Sequence, residues 1–308
     1  MKIGIIFPGQ GSQYAGMAAD FIETAEAKHI LKTAEQITRL PLKKLCLQGP
    51  EEQLVRTLIC QPAVLAADLI CWEALRPHLR GTFALAGHSL GEYAALVAAG
   101  VLSVVDAFRL VSVRARAMEE QSCQTQGGML AIIGRSLEEV RQLTGNFAGI
   151  EISNINAPSQ IVVGGPSTAI ELLETYLREQ KIKAIRLKVS GSFHTSLMKP
   201  VAGLLEKELS SVSLKPFQYP VFLNFTGRKA TGLEEIRKAI VQQSYSPVRW
   251  VEIVQAMAED GVNLFIEVGP KTVLSGLVAK ILPGICVWHV EDRKSLEIIR
   301  EKIQDFVV

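Results

Sequence analysis

The stretch TFALAGHSLGEYAALVAAG, residues 82–100, carries the strongest indication of the fold. Its first six residues form an apolar run that ends in glycine, which predicts a short buried strand over 82–87. The small and apolar residues from Leu90 to Ala99 predict a helix, and Gly100 suits the position that follows its last turn. The stretch therefore predicts one strand–turn–helix unit of an α/β fold.

Apolar runs and longer amphipathic segments alternate on both sides of this stretch. Upstream, residues 2–7 predict a strand and residues 61–79 a helix, with Pro62 in its first turn. Downstream, Ser103 suits the N-cap of a helix over about 103–120. Strands that alternate with helices predict a mostly parallel sheet covered by helices on both faces. The later predicted elements are a helix from about 196, a strand at 221–224, helices near 233–243 and 250–259, a strand at 263–267 and a helix from about 293.

The middle of the chain has a different order of elements. It reads strand, helix, strand, strand, helix, strand, which is the order of a ferredoxin-like unit. A unit of this size predicts a small subdomain inserted into the larger one. Its predicted elements are strands at 128–133, 150–155, 160–164 and 183–188, a helix whose capping box begins at Ser136, and a helix over 167–180.

Composition restricts the class of protein. The chain has 308 residues, which fits one large domain or two, and 48% hydrophobic residues exclude disorder over most of its length. The formal net charge of +2 does not indicate a nucleic-acid-binding protein. Binding of nucleic acid would require a local basic patch.

Cysteine usage and hydropathy favour a cytoplasmic protein. The five cysteines are scattered without a C-x-x-C pair, so neither a disulfide framework nor a metal site is expected, and reduced thiols are. The apolar run after Met1 is too short for a signal-peptide core. Residues 82–105 are interrupted by charge and glycine, which makes them a poor membrane span.

The sharpest chemical motif is Gly87-His88-Ser89-Leu90-Gly91, a G-x-S-x-G between a predicted strand and a predicted helix. A sharp strand-to-helix turn requires small neighbours and exposes the serine at the positive end of the helix. The backbone N–H of Leu90 would then face a developing oxyanion. The motif therefore predicts Ser89 as a nucleophile.

A serine nucleophile needs a base, and five histidines are available. His29 and His78 lie in predicted helices, and His289 lies near the end of a strand, where it could be structural. His88 adjoins the serine, but the sharp turn should send the two side chains apart. His194 lies in a loop of small residues between a strand and a helix, where catalytic groups are often found. The residues alone therefore favour His194 as the base but do not exclude the other histidines.

Seven segments together resemble the malonyl-CoA:acyl carrier protein transacylases, the acyltransferase family of fatty acid and polyketide synthesis. The matches follow the order of that family from residue 5 to about 280. The family fold implies an α/β-hydrolase-like large subdomain over 1–124 and 193–308, with a ferredoxin-like small subdomain over 125–192. The matching segments are FPGQGSQ (7–13), GHSLGEY (87–93), VRARAM (113–118), NINAP (154–158), GSFHT (191–195), QSYSPVRW (243–250) and EVGP (267–270).

The resemblance implies roles for the matching residues. Ser89 would be the nucleophile that forms a malonyl ester, and His194 the general base and later the acid. The backbone N–H groups of Gln10 and Leu90 would form the oxyanion hole. The main-chain carbonyl of Gln243 would orient the histidine, which makes a Ser–His dyad without an acidic third member.

The resemblance also implies a substrate site. Arg114 would take the free carboxylate of the malonyl group, which the acetyl group lacks, through two parallel hydrogen bonds worth about 3 kcal/mol or more. Phe193 resembles the malonyl-selective residue of modular synthases, because its ring would crowd an α-methyl group, although ordinary core packing explains it as well. Asn154 and Asn156 match positions near the pocket. Many relatives have Gly-Pro-Gly-Lys where this chain has Gly269-Pro270-Lys271-Thr272, so Lys271 receives no role.

The implied reaction is ping-pong transfer of a malonyl group from malonyl-CoA to the phosphopantetheine thiol of acyl carrier protein. We expect no cofactor or metal, no nucleic-acid or membrane partner, and a monomer. A polyketide or malonate decarboxylase system remains an alternative setting, and hydrolysis of an acyl thioester remains an alternative reaction, because an α/β-hydrolase-like fold serves both transfer and hydrolysis. A scaffold without catalytic activity is the least supported alternative.

Overall fold

Two β-sheets organise the chain in the computed structural model, which describes residues 2–306. The strands are β1 (Lys2–Phe7), β2 (Thr82–Gly87), β3 (Gly127–Ile133), β4 (Glu151–Ala157), β5 (Gln160–Pro166), β6 (Ala184–Arg186), β7 (Val221–Leu223), β8 (Arg228–Lys229), β9 (Val262–Val268) and β10 (Cys286–Val290). The helices are α1 (Ala25–Thr38), α2 (Leu42–Gln48), α3 (Glu51–Leu54), α4 (Thr57–Leu75), α5 (Gly91–Ala98), α6 (Val104–Thr125), α7 (Leu137–Thr144), α8 (Ser167–Glu179), α9 (Lys199–Leu209), α10 (Leu233–Gln242), α11 (Trp250–Glu259), α12 (Val273–Ile281) and α13 (Arg293–Phe306).

The larger sheet has the strand order β10-β9-β1-β2-β7-β8 and is parallel except for the β7–β8 hairpin. β1 and β2 are almost entirely buried, as expected for central strands covered by helices on both faces. From β1 the chain adds β2 and β7 on one side and later β9 and β10 on the other. The carboxyl ends around β1 therefore form the crevice where parallel α/β sheets bind ligands.

The smaller sheet has the order β4-β5-β3-β6, and all its neighbouring strands are antiparallel. This is the ferredoxin-like arrangement that the order of elements predicted. The mixed α/β fold with a parallel-dominated sheet and a separate antiparallel sheet is confirmed, while the boundaries of the two subdomains stay a prediction.

Backbone hydrogen bonds join the small sheet to the large subdomain. The N–H of Ile155 in β4 donates to the carbonyl of Val248, and the N–H of Val248 donates to the carbonyl of Ser153, each over 2.9 Å. Gly127 lies so close to Ser192 that a side chain at this position would overlap its backbone. The two hydrogen bonds fix β4 beside the loop that leads into α11, and the close approach of Gly127 holds β3 against Ser192.

Several predicted boundaries are wrong. α4 begins at Thr57, one turn before the predicted start, so Pro62 lies inside the helix and not in its first turn. Burial explains the longer helix, because Thr57, Ile59 and Cys60 are packed in the core. The helix expected from about 196 is a 3₁₀ turn over Ser196–Met198 followed by α9, which has Pro200 in its first turn.

One segment passes a simple test for a membrane-spanning helix. Thr57–His78 is long and apolar enough to cross a bilayer, but 83% of its most apolar window is buried inside the protein. Burial of this extent is typical of a core helix in a globular protein.

The turn between β2 and α5 packs directly on the end of β1. A Cβ atom on Gly91 would lie closer than 3.0 Å to the carbonyl oxygens of Phe7 and Pro8. A Cβ atom on Gly87 would overlap the backbone of Gly91 in the same way. Only glycine allows this approach of three backbone segments.

We predict that Gly91→Ala destabilises the folded chain by about 3 kcal/mol or more, because the added methyl overlaps backbone atoms that cannot move separately from β1. Urea denaturation followed by circular dichroism measures the change. Gly203→Ala is the matched control, since Gly203 is exposed on α9 with nothing within 4 Å of the added atom, and the control should gain up to about 1 kcal/mol. Equal stability of Gly91→Ala and the wild type would contradict the packing argument.

Candidate active site

Ser89 lies at the apex of the turn between β2 and α5. Its backbone has φ of 53°, in the left-handed region that costs energy for a residue with a side chain. The flanking Gly87 and Gly91 let the turn approach β1 closely. The strained turn holds the serine side chain at the carboxyl edge of the large sheet, as the G-x-S-x-G motif predicted.

His194 contacts the serine through one ring nitrogen and the main chain through the other. Its Nε2 lies 2.7 Å from Ser89 Oγ, and its Nδ1 lies 2.8 Å from the carbonyl oxygen of Gln243. A carbonyl oxygen only accepts hydrogen bonds, so Nδ1 carries the proton and the Nε2 lone pair faces the serine hydroxyl. The ring is therefore oriented to accept the serine proton.

Burial and a nearby positive charge keep the His194 ring neutral. Desolvation is the larger cause and the charge of Arg114 the second, and together they lower the pKa of His194 from 6.5 to about 3. The ring hydrogen bonds described above join it to a hydroxyl and a main-chain carbonyl. No hydrogen bond joins it to a carboxylate within residues 2–306, and the dyad without an acidic third member stays a prediction.

Arg114 is a buried charge without an acidic partner. Only 1% of its surface is exposed, yet no carboxylate oxygen of the described chain lies within 4.0 Å of its nitrogens. Its Nη2 donates to Ser89 Oγ over 3.0 Å and to the side-chain oxygen of Gln243 over 3.1 Å, while its Nε is unpartnered. Burial lowers the pKa of Arg114, because a desolvated cation is costly, and the charges of nearby Tyr93 and Glu92 oppose this shift only in part. An anionic substrate group would relieve this cost.

The loop after β1 lies against the serine turn. β1 and β2 are in register, with Phe7 opposite Gly87, so Gln10 and Ser89 leave the sheet at the same edge. A Cβ atom on Gly9 would be 3.6 Å from the Leu90 nitrogen and would overlap the His88 carbonyl. Gly9, which directly precedes Gln10, therefore lies beside Leu90, and the pair of oxyanion donors from Gln10 and Leu90 stays a prediction.

A cavity of about 250 Å³ connects these groups. The predicted site residues that line it are Gln10, Ser89, Arg114, Asn154, Asn156, Phe193 and His194. Leu90 and Gln243 are buried behind it and contribute through backbone or polar atoms. Apolar side chains of Met118, Met129 and Leu277 form other parts of the wall.

The three remaining residues of the predicted substrate site have identifiable contacts. Asn156 Oδ1 lies 2.8 Å from His88 Nε2, so the His88 ring is directed at the asparagine and is not the base that contacts Ser89. The Ser153 hydroxyl donates to Asn154 Oδ1 over 3.0 Å and to the Phe193 carbonyl over 2.7 Å. His29, His78 and His289 do not line the cavity.

Two neighbours of the site were not predicted from the sequence. Asn224 follows β7 and accepts the Ser89 N–H at 2.7 Å. Its position directly after a strand next to β2 was the available signal, because strand ends of a parallel sheet share one edge. Lys271 adopts φ of 65°, and its ammonium lies 3.2 Å from the carbonyl of Gln13 and 3.5 Å from that of Gly11.

A parallel α/β sheet with a serine turn and a histidine base at its carboxyl edge defines a class of serine-dependent acyl-transfer and hydrolytic enzymes. The chain belongs to the acyl transferase domain family, whose sequence profile matches residues 5–304.

Individual relatives cover nearly the whole chain. The malonyl CoA-acyl carrier protein transacylase of Bacillus subtilis is 36% identical over 99% of this chain and 98% of its own. The crystal structure of the enzyme of that name from Clostridium perfringens superposes with a TM-score of 0.92 at 34% identity, covering 99% of this chain and 98% of its own. A malonyl-transacylase solved in complex with its type II PKS acyl-carrier protein has a TM-score of 0.93 at 36% identity, covering 98% and 100%.

We predict that the His194 ring stays neutral from pH 8 down to about pH 5, since its pKa is about 3. The ring nitrogen shifts in ¹⁵N NMR, assigned by their loss in His194→Gln, measure its protonation. An ordinary pKa of 6.5 would leave the ring about 97% protonated at pH 5 and would contradict the prediction.

The same shift has a consequence for stability. The unfolded chain takes up this proton as the pH falls below about 6.5, whereas the folded chain does so only near 3. Protonation of His194 therefore lowers the free energy of unfolding as the pH falls from about 6.5 to about 3, by up to about 1.4 kcal/mol per pH unit.

Proposed function

We propose that the chain transfers the malonyl group of malonyl-CoA to the phosphopantetheine thiol of acyl carrier protein, and so supplies fatty acid synthesis. The observation that carries the proposal is the buried guanidinium of Arg114, which donates to Ser89 Oγ over 3.0 Å and forms no ion pair with a carboxylate among the described residues. Relatives named malonyl CoA-acyl carrier protein transacylase, and the transacylase complex with an acyl-carrier protein, support both substrates.

Arg114 selects the acyl group by its charge. A malonyl thioester carries a carboxylate two bonds from the carbonyl that Ser89 attacks, so the guanidinium beside Oγ is close enough to bind it. Nε has no partner in the structure, and Nη2 would exchange its contact with Ser89 Oγ for the carboxylate, so that the two atoms donate side by side. An acetyl group would leave the cation desolvated and unpaired, which is the basis of discrimination.

The first half-reaction forms a malonyl ester on Ser89. His194 Nε2 takes the hydroxyl proton while Oγ attacks the thioester carbonyl, and the N–H groups of Gln10 and Leu90 bind the oxyanion. The intermediate collapses with cleavage of the carbon–sulfur bond, and His194 returns the proton to the sulfur of coenzyme A. The neutral ring at the start makes this proton transfer possible.

The second half-reaction reverses these roles. The phosphopantetheine thiol gives its proton to His194 and attacks the ester carbonyl. Collapse of the second intermediate breaks the bond to Ser89 Oγ, which recovers the proton from His194. Gln243 holds the ring through its main-chain carbonyl and contacts Arg114 through its side chain, so it links base and substrate residue. The cavity wall formed by Phe193 fits an unbranched acyl group, and Asn154 and Asn156 complete the wall on the small sheet.

We propose further that the protein acts in the cytoplasm as a monomer and needs no metal or cofactor, since the proposed residues balance every step. Hydrolysis is the alternative reaction, and service to a polyketide or malonate decarboxylase system the alternative setting. A general esterase does not need an anion-binding residue beside its nucleophile. Arg114 therefore favours transfer of an acidic acyl group.

We predict that malonyl-CoA adds one malonyl group to Ser89, visible in the intact mass, and that Ser89→Ala abolishes the adduct. Added acyl carrier protein should discharge the adduct much faster than buffer does. Discharge at the same rate with and without carrier would identify a hydrolase, and a malonyl group on another residue would remove Ser89 from the nucleophile role.

We also predict that Arg114→Ala reduces the ratio of malonyl-CoA to acetyl-CoA turnover by more than about 100-fold, the equivalent of about 3 kcal/mol. Relative kcat/KM for the two donors is the measurement. Arg116→Ala is the matched control, because Arg116 is exposed two positions along the same helix and should leave the ratio unchanged. An unchanged ratio in Arg114→Ala would exclude the carboxylate role.

A further inference from the structure

Asn224 has every polar side-chain atom engaged at the serine turn, although the mechanism above does not use it. It is fully buried and directly follows β7, the strand beside β2. Its Nδ2 donates to the carbonyl of Gly87 over 2.7 Å, and its Oδ1 accepts the N–H of Ser89 over 2.7 Å. One amide group therefore binds the backbone of both Gly87 and Ser89, on either side of His88 in the turn that carries the nucleophile.

The orientation of this amide is fixed by a buried carboxylate. Glu92 Oε2 accepts from both the main-chain N–H and Nδ2 of Asn224, each over 2.6 Å. The side-chain atom that faces Glu92 and the Gly87 carbonyl must be the nitrogen, because both partners are acceptors. The oxygen consequently faces the Ser89 N–H, and Glu92 determines which way the amide lies.

These contacts also decide which N–H groups are free for catalysis. The Ser89 N–H is occupied by Asn224 at 2.7 Å and does not point into the cavity as a donor. Without that acceptor, Ser89 could relax from its φ of 53° toward an ordinary conformation and move its hydroxyl relative to His194. An error of about 1 Å in such a position can cost about 100-fold in rate.

We propose that Asn224 is a positioning residue that clamps the strained serine turn, and that Glu92 acts through it by orienting its amide. The proposal rests on the proposed role of Ser89 as the nucleophile. Burial raises the pKa of Glu92 to about 7, and the hydrogen bonds from Asn224, together with Gln243 and the charge of Arg114, oppose that rise.

The test measures the first-order rate of Ser89 malonylation by rapid quench and intact mass, as a function of malonyl-CoA concentration. Asn224→Ala should lower the limiting rate by about 100-fold and leave the half-saturating concentration within about threefold, because substrate binding depends on Arg114. Asn224→Asp keeps the size and the acceptor for the Ser89 N–H but loses both donors, and it should also be slow.

A general loss of stability is separated by a matched control. Leu31→Ala removes buried apolar volume from α1, away from the turn, and should lower the denaturation midpoint while keeping the rate of malonylation. A malonylation rate of Asn224→Ala within threefold of the wild type would overturn the proposal. So would an equal loss of rate in Leu31→Ala.

The dependence on Glu92 has its own test. Glu92→Ala should be slow, while Glu92→Gln retains an acceptor oxygen for Asn224 and should recover most of the rate. The double variant Glu92→Ala/Asn224→Ala should be no slower than Asn224→Ala, because both changes remove one clamp. Additive losses would contradict action of Glu92 through Asn224.

The same comparison with phenylmethylsulfonyl fluoride separates this proposal from the proposed function. Sulfonylation of Ser89 depends on the turn but not on recognition of a malonyl group. If malonyl-CoA fails to label the wild-type enzyme, the proposed function fails, and slower sulfonylation of Asn224→Ala would still support the clamp. Equal sulfonylation rates would overturn the clamp alone.

Discussion

An unpaired guanidinium buried within hydrogen-bond distance of a serine hydroxyl is the feature on which the rest of the site depends. Arg114 lies 3.0 Å from Ser89 Oγ with 1% of its surface exposed. A charge in this position is costly unless an anion joins it. The same charge lowers the pKa of His194 and so helps to keep the base neutral.

The elements around the charge are held by close backbone packing, by backbone hydrogen bonds and by one buried side-chain amide. Gly87 and Gly91 allow the serine turn to rest on β1, and Asn224 joins the turn to β7. The small sheet is tied in by the paired backbone of Ile155 and Val248. Backbone contacts of this kind fix atoms with little rotational freedom, which is what a nucleophile and its oxyanion donors require.

The sequence predicted those parts of the fold and site that depend on local pattern. The alternation of strands and helices predicted both sheets, and the G-x-S-x-G motif predicted the turn around Ser89. The residues alone left His194 as one of five candidates, because pairing across 105 positions depends on the fold and leaves no local pattern. The roles predicted for Arg114, Gln10 and Gln243 came from the resemblance to a family and not from the residues alone.

The failures have physical causes as well. The start of α4 was placed at residue 61 because Pro62 is usually found in a first turn, but burial of the preceding turn was stronger than that preference. α2, α3 and α12 were not predicted, and the helix expected around His29 was given no bounds, although α1 begins with a Thr24 cap. Asn224 was placed inside the strand predicted at 221–224, whereas the strand ends at Leu223, so its position at the strand end went unnoticed.

The use of a main-chain carbonyl to orient His194 follows from the buried charge. Gln243 accepts from the ring through its carbonyl and from Arg114 through its side chain, 2.8 and 3.1 Å away respectively. A carboxylate in this place would lie close enough to Arg114 to form an ion pair, and it would neutralise the cation before a substrate arrived. It would also raise the pKa of His194. A neutral acceptor gives the ring the same tautomer and leaves the guanidinium available, so the missing acid and the unpaired arginine are two aspects of one electrostatic arrangement.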